Sequence, residues 1–89
     1  MKQSDLELIK EDVGKLLTEM NIIVTEVSYE VEGKYKFLRI ELDKASGLDL
    51  NTIVEATHII NPQIDKYKFL NDSYILDVIS KEKGEITNG

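Results

Sequence analysis

Val27-Ser28-Tyr29-Glu30-Val31-Glu32-Gly33-Lys34-Tyr35-Lys36-Phe37-Leu38-Arg39-Ile40-Glu41-Leu42 alternates side chains of opposite character on both sides of a glycine. Within residues 22–31, Val27, Tyr29 and Val31 point one way, and Glu26, Ser28 and Glu30 the other. Within residues 35–43, Leu38, Ile40 and Leu42 oppose Tyr35, Phe37, Arg39 and Glu41. A period of two is the signature of a half-buried strand. Glu32-Gly33-Lys34 is a short connection carrying glycine, so the two runs predict a β-hairpin, antiparallel by construction.

On the N-terminal side of the hairpin the period changes. Leu6, Ile9, Val13, Leu16, Leu17 and Met20 recur at spacings of three and four, which predicts an amphipathic helix over 4–20. Ser4 with Glu7 fits a capping box, Asp5 complements the helix dipole, and Asn21 suits a left-handed stop. Gly14 inside the pattern costs ~1 kcal/mol relative to alanine, and the expectation is a close approach to the sheet there.

On the C-terminal side, Asp43-Lys44-Ala45-Ser46-Gly47 breaks the strand. Asp49 can cap a second helix with apolar positions Leu50, Ile53, Val54, Ala56 and Ile60. Pro62 is expected to stop it, with a short restart through Gln63-Ile64-Asp65. Asn71-Asp72 reads as a turn, and Tyr74-Ile75-Leu76-Asp77-Val78-Ile79-Ser80 as a third strand. The third strand returns after a helix and joins the same sheet, and both helices must bury their stripes on one face of it. The expected fold is α+β: a two-layer α-β-β-α-β sandwich with a three-stranded sheet. Residues 1–80 form one domain in this reading, and 81–89 a loose C-terminal tail.

The chain has 89 residues, of which 42% are hydrophobic and 31% charged, an ordinary globular balance. It has no cysteine, which excludes disulfides and thiolate zinc sites and fits a reducing compartment. The start, Met1-Lys2-Gln3-Ser4-Asp5, is polar and acidic and does not read as a signal peptide. No apolar run approaches the ~18–20 residues that span a bilayer. These features place the chain in the cytoplasm, with no membrane partner. Seventeen acidic residues against eleven basic ones give a net charge of −6. Independent, tight binding to nucleic acid calls for the opposite sign.

Catalytic chemistry finds little to work with. His58 is the one histidine; on the second helix it reads as a surface residue without the orienting partners that catalysis or metal binding require. Asp43, Gly47, Asp49 and Asn51 superficially suggest a calcium loop, but Ala45 stands where a ligand should be and Val54 where the bidentate glutamate belongs. The five glycines are too scattered for a phosphate loop. The expectation is a non-enzyme with no cofactor and no metal.

Lys34-Tyr35-Lys36-Phe37-Leu38-Arg39 is the chemically suggestive stretch. Tyr35, Phe37 and Arg39 share the strand face opposite Leu38 and Ile40. Cross-strand packing, a protein contact and base stacking are all open to such a face. Glu26, Ser28, Glu30 and Glu41 share it too, and the carboxylates repel phosphate. Arg39→Ala is expected to leave stability within ~1 kcal/mol yet weaken binding, if its face is the contact surface.

Several segments together resemble the N-terminal domain of the ribosome maturation factor RimP family. Glu26-Val27-Ser28-Tyr29 is similar to that family's D-V-E-Y strand, and Glu32-Gly33-Lys34 to its hairpin turn. Leu38-Arg39-Ile40-Glu41-Leu42-Asp43 is close to L-R-V-Y-I-D, Gly47-Leu48-Asp49-Leu50-Asn51 to G-V-T-L-D, and Tyr74-Ile75-Leu76-Asp77-Val78 to Y-T-L-E-V. The resemblance covers residues 6 to 80. It departs at Pro62, where the family continues its helix, and after Ser80, where the family has P-G-L-D-R-P and a β-barrel domain.

The resemblance implies an architecture related to prokaryotic KH domains and a binding role in small ribosomal subunit maturation. The implied partners are a small-subunit precursor and a basic ribosomal protein, with a weak RNA contact as a further option. Lys34, Arg39 and Asp43 are the matched polar candidates for partner binding; Lys36 joins them on its chemistry, and Tyr35 and Phe37 as exposed aromatics. The alternative is a standalone protein-interaction or regulatory module without a ribosomal role. Either is expected to be a monomer or a weak homodimer paired through strand edges.

Overall fold

The computed structural model describes residues 1–70 and 73–81. Strands β1 (Ile23–Glu32) and β2 (Tyr35–Asp43) form the expected hairpin, antiparallel, with Glu32 opposite Tyr35. Gly33 takes the first of the two turn positions at φ +62°, a region L side chains rarely adopt and hairpin turns demand. The register shifts between Val24 and Glu26, which is a β-bulge at Thr25. The bulge lets Val24 and Val27 both face the core despite their odd spacing. Thr25 secures the irregularity: its hydroxyl lies 3.1 Å from the Glu41 carbonyl and 2.7 Å from its carboxylate.

Strand β3 (Ile75–Ser80) lies parallel to β2 on the side away from β1, giving the order β1-β2-β3. Leu38 faces Leu76, Ile40 faces Val78 and Leu42 faces Ser80. Central β2 supplies Leu38, Ile40 and Leu42, each fully buried. Against them pack Ile9, Val13 and Leu17 from the N-terminal helix and Ala56, Ile60 and Ile64 from the second, in one continuous core. Both helices therefore cover one face of the sheet, as the alternation predicts.

Helix α1 (Gln3–Leu16) begins before the expected Ser4 cap. The Lys2 N–H donates to the Asp5 carboxylate at 3.2 Å, so Asp5 takes the role assigned to Glu7. The α-helix ends earlier than expected and tightens into a 3₁₀ turn at Thr18–Met20. Asn21 then takes the left-handed conformation, φ 60°, that its sequence position suggested. Leu16 is exposed, not part of the apolar stripe. A Cβ added at Gly14 would meet nothing within 4 Å, so the expected close approach to the sheet is absent.

Helix α2 (Leu50–Ile64) starts as predicted, with the Asp49 carboxylate accepting from the Thr52 N–H at 2.8 Å. It does not stop at Pro62 but runs through it. Proline forfeits one backbone hydrogen bond at a cost of ~3 kcal/mol. Burial of Ile64 one turn beyond Ile60 returns roughly 2–3 kcal/mol, and the Asp65 N–H to Asn61 carbonyl bond (3.1 Å) carries the helix past the gap. One departure from the family pattern thus disappears at the level of backbone. Leu50 and Val54, expected on the apolar face, are exposed, while Ile53 is half-buried. The expected turn at Asn71-Asp72 and the expected tail beyond Lys81 lie outside the described residues.

Past α2, Tyr67 ties the chain back to α1. Its hydroxyl donates to the Asp12 carboxylate at 2.6 Å and accepts from the Gln63 amide at 3.1 Å, while its ring stacks on Phe69 at 5.1 Å. Burial first, and the bond to Asp12 second, push this phenol up to about 12.

Leu38→Ala or Ile40→Ala should cost ~2–5 kcal/mol in denaturant unfolding, because each leaves a void at the centre of the core. Tyr67→Phe should cost about 1 kcal/mol at neutral pH. A phenol whose folded pKa exceeds its unfolded value contributes stability that is intact below the unfolded pKa of about 10 and lost as pH rises through the folded one. Unfolding measured across that range should therefore show a loss in the parent chain that Tyr67→Phe diminishes.

Candidate functional site

The sheet face turned away from the helices follows from strand parity. Across it, Glu26, Glu41 and Ile79 form one row, Ser28, Arg39 and Asp77 the next, and Glu30, Phe37 and Ile75 the third. Glu32 and Tyr35 continue the pattern toward the hairpin, and Asp43 lies at its other end, opposite Ile23. Six strand carboxylates thus share this face with one guanidinium. Apolar surface lies among them: Tyr35 and Ile75 are about half exposed, and Phe37 and Ile79 partly buried.

Arg39 holds the centre. Its Nε lies 2.8 Å from Asp77 on β3, and one terminal nitrogen 2.8 Å from Glu30 on β1. The guanidinium carbon sits 5.6 Å from the Phe37 ring centroid, a cation–π contact. The hydrogen bond it donates to Asp77 raises its pKa further, with Glu30 adding to the effect against the opposing influence of burial. The only strand cation on the face is thus clasped by carboxylates from both neighbouring strands.

The six sequence candidates do not form one cluster. Tyr35, Phe37, Arg39 and Asp43 line up along β2 on the open face. Lys36 has the opposite parity; it is half-buried and lines a cavity of about 250 Å³ with Met1, Tyr29, Phe69 and Leu70. Lys34 is exposed in the hairpin turn. The residues that sequence reasoning left out are Asp77, Ile75 and Ile79. Their signal is the same period of two, but assigning them to this face requires the parallel register of β3.

Elsewhere, a groove of about 850 Å³ runs between α1 and β1, with Lys10, Gly14, Lys15, Ile22 and Ile23 among its lining residues. His58 is exposed on α2. Among the described residues, no three His, Cys, Asp or Glu side chains converge to hold a metal ion, and no helix is long and apolar enough to cross a membrane.

A helix-backed sheet with an open, carboxylate-rich face defines a small two-layer α+β domain. The family model of the RimP N-terminal domain matches residues 12–81, and the chain belongs to that family. RimP proteins are ribosome maturation factors, and the match confirms the sequence resemblance over most of the chain.

Arg39→Ala should destabilise the domain by about 1–2 kcal/mol, through loss of the carboxylate network and the ring contact. This is a larger loss than the ~1 kcal/mol bound expected from the sequence, because both carboxylates lose their partner. Added salt should shrink the difference in denaturant unfolding, and Arg39→Lys should recover only part of it, since lysine cannot present a planar fork to both carboxylates.

Proposed function

We propose that this domain serves small ribosomal subunit maturation in the cytoplasm by binding a basic ribosomal protein, with any RNA contact secondary. The observation that carries this reading is the open strand face, where six carboxylates surround a guanidinium already paired to two of them. Such a surface attracts a cationic partner over long range and repels phosphate. Family membership supplies the ribosomal context. Tyr35, Phe37 and Asp43 are the proposed contacts from β2, and Arg39 organises the face. Any RNA contact is assigned in this reading to Lys34, exposed at the hairpin tip, and Lys36, on the other sheet face.

The 89-residue chain should co-sediment with small-subunit precursors and bind at least one purified basic small-subunit protein at low salt, with affinity falling as salt rises. Absence of both associations at low salt would overturn the proposal. Binding to non-ribosomal proteins alone would favour the regulatory-module reading.

A further inference from the structure

Two carboxylates on the open face stand in an arrangement that folding by itself disfavours. Glu26 and Glu41 are directly opposite one another on β1 and β2, immediately after the Thr25 bulge. Like charges at opposed cross-strand positions are destabilising. Among the described residues neither carboxylate is bridged to a cation; Glu41 accepts a hydroxyl hydrogen bond from Thr25, which leaves its charge uncompensated.

The pair borders a hollow of about 160 Å³, lined also by Ser28, Glu30, Arg39 and Ile79. Ser28 is the smallest side chain on the strand grid, and Arg39 beside it is held by Glu30 and Asp77. Ile79 adds an apolar wall next to Glu41. Carboxylates, a hydroxyl and a hydrocarbon wall match the parts of a lysine or arginine side chain, which has an apolar stem and a cationic head.

We propose that the open sheet face is a docking surface for an extended basic polypeptide segment, and that one lysine or arginine of that segment enters the hollow between Glu26 and Glu41. This rests on the basic-partner reading above and names its surface. The sheet face as a whole makes the argument: partly exposed Phe37 and Ile75 give a hydrophobic platform next to the hollow, and the charge selects a cationic occupant over nucleic acid. The incoming charge relieves the repulsion that the unbound sheet carries.

The test uses the isotope-labelled chain, a short extended Lys/Arg-rich peptide and, separately, a short single-stranded RNA. The peptide should perturb the backbone amides of Ser28, Glu30, Arg39, Glu41 and Ile79. The double variant Glu26→Gln/Glu41→Gln keeps the side-chain shapes and the acceptor for Thr25. It should bind the peptide about tenfold more weakly while its Tm without peptide rises by about 2–4 °C. A contact residue of purely structural importance would lower both quantities together. Peptide perturbations on another surface, or undiminished binding by the double variant, would overturn the assignment of this face and leave the basic-partner reading standing. No peptide binding at all would overturn the docking assignment, while the basic-partner reading falls only if the precursor and ribosomal-protein associations also fail. RNA perturbing the same amides more strongly than the peptide would show a nucleic-acid surface in its place.

Discussion

Everything in this domain is referred to β2. Among the described residues it is the only strand with a neighbour on each side, antiparallel β1 and parallel β3, and its inward side chains Leu38, Ile40 and Leu42 have no exposure. Two helices pack over those three residues, so one strand sets both the hydrogen-bonding frame and the floor of the core. Its parity then dictates the outer surface: once Leu38, Ile40 and Leu42 face in, Phe37, Arg39 and Glu41 must face out. Core and candidate interface are two sides of the same register.

The outer surface is held by charge where the inner one is held by burial. Arg39 spans the sheet from Asp77 to Glu30, tying the two edge strands together through the strand between them. A guanidinium suits this position because its fork reaches carboxylates in two directions while its carbon sits over the Phe37 ring. The same occupancy removes the one strand cation of this face from competition for phosphate. Under the proposed basic-partner reading, structural need and partner selection point the same way for this residue, whereas for Glu26 and Glu41 they pull apart.

The elements and the side of the sheet they cover were legible because they depend on periodicity. The hairpin, the third strand, the Asp49 cap and the Asn21 stop rest on local spacing and turn chemistry, and the family segments lie on those same elements. Features settled by tertiary context were less legible. The Thr25 bulge interrupts a period that sequence reading begins only at Val27. Pro62 is a strong local breaker, yet the core's demand for Ile64 carries the helix through it. The site was half legible: parity placed Tyr35, Phe37, Arg39 and Glu41 on one face, but the clasp from Asp77 needs a partner 38 residues away. No short-range pattern encodes that register.

The mixed sheet also joins contacts of very different sequence separation. β1 and β2 meet across a two-residue turn, so their zippering closes a small loop. β3 pairs with β2 in parallel, and a parallel neighbour can arrive only after the intervening chain has crossed over the sheet as α2. Until then β2 is a hairpin edge, its hydrogen-bonding groups available to any extended strand, and Arg39 lacks its partner on β3. The bond from Arg39 to Asp77 thus reports closure of that edge: it requires β3 in register beside β2, as the boundary of the sheet.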